Sequence, residues 1–265
     1  DLNTLDELLS EKGDTFNLIK NSNFPIFLIG QTFFKLKSAN YFLNKIKKFL
    51  KDNNKINDQW NALNILSNNA STVGGYDLDI ISSKNGRNSI LNSLKNNNFS
   101  LIILIGQDNL DFKKKDEFII YIGSHGDKGA EIADVILPGA AFTEQDGHYT
   151  NLEGKIQKAY KASYPPNEAK EDWLIINQLA ENISNKTFFK NLDEVEKNMF
   201  NSLNILKKND SQIKHTFLKD IKFENHNIIL DNIDYYYSNV IARASKTMYE
   251  CRNEKIKLQL TETQN

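Results

Sequence analysis

One cysteine, Cys251, stands in a chain of 265 residues. An iron–sulfur cluster held in the usual way needs about four thiolates, and a structural zinc site about four Cys or His. The four histidines, His125, His148, His215 and His226, show no ligand spacing with one another or with Cys251. No metal ligand and no redox cofactor are therefore expected on this chain. A lone cysteine also excludes a disulfide framework within it, so Cys251 reads as a buried or half-buried apolar residue.

An excess of one charge is lacking too. Lys and Arg number 33 against 34 Asp and Glu, a net charge of -1, so nothing stands ready to release counterions from nucleic acid. Long apolar runs are missing: mean hydropathy is -0.52. The longest run, Leu101–Ile105, is strand-sized where a membrane span needs roughly 18 residues. Any membrane association must come through partners. Opening at Asp1, without Met or a basic-then-apolar leader, the chain is expected to be processed or part of something longer. Roughly one residue in seven is Asn and Lys outnumbers Arg about tenfold. That bias points to an AT-rich genome, such as an organelle's or an intracellular bacterium's.

What is present is alternation. A chain of this length can bury about three quarters of its unfolded surface. Phe24–Gly30 reads as a short buried strand. Ser38 is placed to cap a helix whose stripe is Tyr41, Phe42, Ile46, Phe49 and Leu50. A second helix is expected from about Asp58 to Val73, capped by Asn57 or Asp58 and stopped by Gly74-Gly75. It would bury Trp60, Leu63, Ile65, Leu66 and Ala70. Ser89–Leu94 should be a short helix, Leu101–Ile105 a buried strand closed by Gly106, and Phe118–Ile122 and Val135–Leu137 two more strands. Strands separated by helices or loops predict an α/β fold with a largely parallel sheet. Pro138 and Pro165-Pro166 bracket a long connection, which in a compact domain is functional or pinned by partners. Pro166 leads into a helix carrying Trp173, Ile175, Ile176, Leu179, Ala180 and Ile183. Beyond about residue 185 order should thin until Val240, Ala244, Met248 and Cys251 form a stripe on a terminal docking helix.

Several constellations invite a chemical reading. Gly123-Ser124-His125-Gly126-Asp127-Lys128-Gly129 follows a strand, where glycine turns can cradle phosphate. Its G-x-x-G-x-x-G spacing differs from the dinucleotide fingerprint, and about ten residues to the next strand leave no room for a crossover helix. A tight turn with positive φ is preferred. His125 as an acid or base would need an orienting partner, with Asp127 the local candidate. Glu144, Asp146 and Glu153 read as solvated or backbone-bonded acids ahead of a carboxylate catalytic pair. Ser245-Lys246 lacks the spacing of a Ser-Lys nucleophile.

Two stretches carry more. Phe118-Ile-Ile-Tyr-Ile-Gly-Ser-His-Gly-Asp-Lys-Gly-Ala130 runs into Ala133-Asp-Val-Ile-Leu-Pro-Gly-Ala-Ala-Phe-Thr-Glu144. The run continues through Gly147, Asn151, Glu153-Gly154-Lys155, Pro165-Pro166, Ala169 and Glu171-Asp172-Trp173. This resembles the C-terminal region of the large (75 kDa-type) iron–sulfur subunits of respiratory complex I, the NADH:ubiquinone oxidoreductases. That region is itself similar to molybdopterin oxidoreductases. Trp60–Gly74 and Ile241–Met248 look like the same subunit. The resemblance implies a Rossmann-like parallel sheet flanked by helices, a molybdopterin oxidoreductase-type domain without its pterin. It would span residues 1–183, followed by a Lys/Asn-rich extension at 184–239 and a docking helix and tail at 240–265.

The implied role is a non-catalytic part of the peripheral arm, supporting electron transfer from NADH to ubiquinone. The implied place is the mitochondrial inner membrane on its matrix side, or the cytoplasmic face of a bacterial membrane. Iron–sulfur clusters would sit on an N-terminal part or a partner chain among the other complex I subunits. No catalytic, cofactor-binding or metal residue carries over. His148 stands near a usual Thr and Lys155 in a usual Arg place, and Lys does not reproduce bidentate Arg pairing. A fragment of a molybdopterin-dependent enzyme and a generic nucleotide-binding domain stay open as alternatives.

Overall fold

The computed structural model describes residues 2–10, 13–57, 59–80, 90, 92–94, 96, 98–107, 113–203, 222–227 and 234–262. They fall into two compact units, Asp1–Val73 with Lys207–Asn232, and Gly74–Leu206 with Ile233–Asn265. No helix among the described residues is long and apolar enough to cross a membrane.

The first unit carries helices α1 (Leu2–Leu8), α2 (Asp14–Asn21) and α3 (Ala39–Asp52), and strands β1 (Phe27–Gly30) and β2 (Leu63–Leu66). The stripe expected on α3 is real. Phe42, Ile46, Phe49 and Leu50 recur at helical spacing and are buried together with Ile29, Ala62 and Phe16. Phe16 meets Phe49 edge-on at 5.7 Å, and Phe223 closes over Tyr41 and Phe42.

Ser38 occupies the N-cap of α3 but does not cap it. Its fully buried hydroxyl donates to Glu224 O at 2.7 Å and accepts from Glu224 N at 2.8 Å, tying down the segment 222–227. The helix expected at 58–73 is also corrected. Its core is β2, parallel to β1 with Ile29 opposite Ile65. Asn57 Oδ1 accepts from the backbone of Gln59 and Trp60, both at 2.9 Å, which imitates an N-cap and makes only a turn. A four-residue apolar run does not distinguish strand from helix by its period, and the free edge of β1 decides for strand. Gly74 and Gly75 lie inside a later short helix, α4 (Thr72–Asp77), and do not stop one.

In the second unit β3 (Leu101–Ile105), β4 (Phe118–Gly123) and β5 (Val135–Pro138) form a parallel sheet in that order. Of the helix expected at Ser89–Leu94, Ile90 and residues 92–94 are helical, and the rest lies outside the described residues. Strand β3 does not meet the expectation of full burial: only Leu104 is buried, and Leu101, Ile103 and Ile105 are about half exposed. Helix α5 (Lys128–Glu131) brings Ala130 against Leu104, Ile119 and Tyr121 on one face of the sheet.

The connection after Pro138 is not structureless. It holds an antiparallel hairpin of β6 (Gly147–Thr150) and β7 (Ile156–Ala159). Helix α6 (Asp172–Ser184) begins six residues past Pro166 and buries Ile175, while Ile176 and Ile183 are exposed. Helix α7 (Leu192–Ser202) forms where order is expected to thin, with Asn191 Oδ1 accepting from Glu194 N. The terminal stripe is split. Helices α8 (Val240–Ala244) and α9 (Lys246–Glu262) are broken by Ser245, whose backbone is extended. Cys251, expected to be at least half-buried, is exposed on α9.

Candidate functional site

Ligands of open parallel sheets lodge beyond the carboxyl ends of the strands, where the loops diverge. In the second unit those ends are Gly123 and Pro138. A cleft of about 390 Å³ opens there, lined by Gly123, Ser124, His125, Gly139, Glu144 and Glu168 among others.

The glycine turn behind it does not work as expected. None of Gly123, Gly126 and Gly129 has positive φ. Tyr121 reaches back under the turn, and its hydroxyl donates to His125 O at 2.8 Å. The imidazole of His125 pairs with Ser124 Oγ at 2.9 Å, not with Asp127. Asp127 is engaged elsewhere. Its Oδ1 accepts from Lys128 N at 2.8 Å, and its Oδ2 receives Arg243 Nε at 2.8 Å. The base–orienter geometry a catalytic histidine requires is absent at His125.

Two acids of the long connection, Glu144 and Asp146, are held by backbone. Glu144 Oε2 accepts from Ala141 N at 2.9 Å, and Asp146 Oδ1 from Lys161 N at 2.7 Å. Asn151 Oδ1 accepts from both Glu153 N (3.0 Å) and Lys155 N (2.9 Å), shaping the hairpin tip where Gly154 takes φ +79. Glu153 lies at that exposed tip with Asn151 Nδ2 at 3.3 Å. The three acids thus face three different jobs. Gly147 needs no special backbone, because a Cβ there would meet Tyr149 at an ordinary 3.5 Å.

Within the long connection a close approach falls at Gly139, where a Cβ would lie 2.6 Å from Asp172 Oδ1 and 3.2 Å from Gly123 N. Asp172 lies at the start of α6, and Gln145 brackets it: Asp172 N donates to Gln145 Oε1 at 3.1 Å, and Gln145 Nε2 donates to Asp172 Oδ2 at 3.0 Å. Burial pushes this carboxyl above its ordinary value, against the Gln145 amide and the Ala140 backbone that hold it down. Glu171 beside it accepts from Trp173 Nε1 and Lys161 Nζ, both at 2.8 Å. Asp134, at the entrance to β5, accepts from Ile119 N at 2.8 Å and pairs with Lys114. That ammonium and then the Ile119 amide hold its carboxyl below the usual value.

Sequence reasoning does not single out Gln145, Asp172, Asp134 or Arg243 as functional. The signal available is the loop itself, whose buried backbone must find partners somewhere. The remaining histidines are dispersed. His148 packs edge-on to Phe200 at 5.1 Å, 3.8 Å from Glu196, and His226 accepts from Lys37 N; His215 lies outside the described residues. Ser245 Oγ meets Met248 N at 3.4 Å, and Lys246 is largely exposed. Among the described residues no three His, Cys, Asp or Glu are placed to hold a metal ion.

Comparison with known proteins gives this geometry a context. The model of the molybdopterin oxidoreductase family matches residues 1–182. A subunit of the NADH-quinone oxidoreductase of Rickettsia bellii is 37% identical over 260 residues, covering 96% of this chain and 37% of the relative. The NADH-ubiquinone oxidoreductase 75 kDa subunit of Reclinomonas americana is 33% identical over 263 residues, 95% of this chain and 37% of its own length. The mitochondrial 78 kDa subunit of Candida albicans is 31% identical over 243 residues, 86% and 32% respectively. The chain thus spans about a third of the length of the curated relatives it matches. The resemblance carried by residues 118–173 is borne out.

Proposed function

The chain belongs to the molybdopterin oxidoreductase family, and from that premise we propose that it is a structural part of the peripheral arm of respiratory complex I. In this reading it supports electron transfer from NADH to ubiquinone and holds no redox centre of its own. Its partners are other complex I subunits, among them a chain or segment carrying the iron–sulfur half. Its place is the matrix side of the mitochondrial inner membrane, or the cytoplasmic face of a bacterial one, reached through those partners.

The single observation that carries the proposal is how the 118–173 window spends its polar groups. Glu144, Gln145, Asp146, Asn151 and Asp134 all accept from backbone amides of the same unit. Groups held in this way shape a surface. The same window carries the likeness to subunits named for NADH–quinone oxidoreductases.

The family name implies a pterin with its anionic phosphate, and the cleft does not suit one. Two carboxylates, Glu144 and Glu168, line it, and no Lys or Arg is among its described lining residues. Negative charge beside an anion disfavours binding, and no guanidinium fork is there to hold a phosphate. A second reading, a fragment of a molybdopterin-dependent enzyme, is favoured by the family match and by the position of that cleft at the strand ends.

Affinity purification through a tag on this chain, followed by mass spectrometry and metal analysis, separates the two. Co-purification of NADH dehydrogenase subunits, with molybdenum and tungsten near zero, is expected. Molybdenum or tungsten stoichiometric with the chain, and no such subunits, would establish the second reading instead.

A further inference from the structure

Segment 222–227 lies on the first unit as a strap. Phe223 packs on Tyr41 and Phe42 of α3, its ring centroid 5.6 Å from each of theirs. The buried Ser38 hydroxyl donates to Glu224 O at 2.7 Å and accepts from Glu224 N at 2.8 Å. Two residues on, His226 Nε2 accepts from Lys37 N at 3.3 Å, and His226 Nδ1 lies 3.0 Å from Glu224 O.

These last two contacts select one form of the ring. A carbonyl oxygen only accepts, so Nδ1 must carry a proton. A backbone N–H only donates, so Nε2 must not. The neutral Nδ1–H imidazole satisfies both, whereas an imidazolium turns a second N–H against the Lys37 amide. Among the described residues, the charged side chains on the elements packed here are Lys222 and Glu224 on the strap and Lys35 and Lys37 before α3. Asp6 of α1 and Lys45 of α3 pair with each other at 2.6 Å, and Tyr41 donates to the same Asp6 oxygen. The set is net positive and offers an imidazolium no surplus of carboxylate.

We infer that the strap is a pH-sensitive clasp, seated on the first unit while His226 is neutral and loosened when the imidazole takes its second proton. The seated state binds fewer protons than the loosened one. Its stability is therefore present above the histidine range and lost as pH falls through it. Loosening lifts Phe223 from Tyr41 and Phe42 and leaves the Ser38 hydroxyl without Glu224. The chain leaves the first unit after Val73 and returns to it over Lys207–Asn232, so the clasp fastens the described part of that return. This inference is independent of the proposed function.

Nuclear magnetic resonance on the isotope-labelled full chain tests it. Ring nitrogen–proton correlations at about pH 8 should show His226 as the Nδ1–H tautomer, and a ring protonated on Nε2 alone overturns the inference. Amide protection at Lys37 and Glu224, corrected for intrinsic exchange, should fall about tenfold between about pH 8 and pH 5, the worth of roughly one hydrogen bond. Ile46, in the middle of α3, should keep its protection. No fall at Lys37 and Glu224, or an equal fall at Ile46, overturns the clasp. His226→Gln has nothing to titrate in this range, so its protection at Glu224 should be the same at both pH values. Constancy in that variant, at a high or a low level, assigns the change to the imidazole; a fall like the parent's refutes that assignment.

Discussion

Each of the two units is held together by different means. In the first, α3 drives Phe42, Ile46, Phe49 and Leu50 into a core shared with Phe16, Ile29 and Ala62. In the second, the packed cluster is smaller, centred on Leu104, Ile119 and Tyr121, and a network of side chain–backbone bonds fixes the long connection. Core burial stabilises a unit by itself. A polar network instead fixes a shape, because each bond adds little net stability but leaving a buried group unpaired costs far more. The first unit is thus held mainly by its core, and the long connection of the second mainly by polar bonds.

The largest expected effect breaks the first unit. Phe42→Ala empties a fully buried site and should cost about 3–5 kcal/mol in denaturant unfolding followed by fluorescence. A loss below about 1 kcal/mol would show that this core is loosely packed and the contrast false. Next in size, Gly139→Val drives a side chain into Asp172 and the Gly123 backbone. It should cost roughly 2–3 kcal/mol by strain and overpacking, seen as a lower melting temperature, whereas Gly147→Val, with open contacts, should be much milder. Equal losses at the two glycines would mean the connection is not pinned at Gly139.

Smaller still is the tie between Arg243 and Asp127. Arg243→Ala should cost about 1 kcal/mol and raise hydrogen exchange in residues 124–131 and 240–244, with no change around α3. Exchange that rises in α3 as well would argue against two separately stabilised units. Glu144→Gln keeps an oxygen for Ala141 N. It should leave turnover per assembled complex unchanged, and a large loss would convert this network from scaffold into site.

The smallest effect is a pH dependence. Burial raises the Asp172 carboxyl, so folding disfavours its charged form. That destabilisation is complete above the raised folded value and is relieved as pH falls through it toward the unfolded value. Asp172→Asn, which can still accept from Gln145, should be slightly more stable than the parent near neutrality. The gap should shrink on acidification, and a gap that widens would show the carboxylate is stabilised by its surroundings after all.

Legibility follows the kind of signal each element gives. Strands at Phe27, Leu101, Phe118 and Val135 and the stripe on α3 are readable, because continuous apolar runs and a 3.6-residue period mark the elements, although the run of β3 does not report its burial. The stretch 57–66 misleads. Asn57 presents the chemistry of a helix cap, and Leu63-Asn64-Ile65-Leu66 is too short for its period to speak. The hairpin at 147–159 reads as open loop in the sequence, since its register depends on Asn151 folding over the Glu153 and Lys155 amides. Cys251 belongs to an apparent apolar stripe that the break at Ser245 takes apart.

Composition and motif by themselves determined that this chain has no thiolate set for a cluster, no apolar run able to span a bilayer, and a window, 118–173, that identifies its family. Those properties are local: they depend on which residues occur and how they are spaced. Only the tertiary structure decided that Glu144 and Asp146 accept backbone amides, that Asp172 is buried against Gln145, and that Asp127 belongs to Arg243 and not to His125. It alone decided that Leu104 is buried while Leu101, Ile103 and Ile105 of the same strand are about half exposed. Partners far apart in sequence are chosen by competition among contacts, and a strand's apolar residues look the same from either face until something packs on one of them.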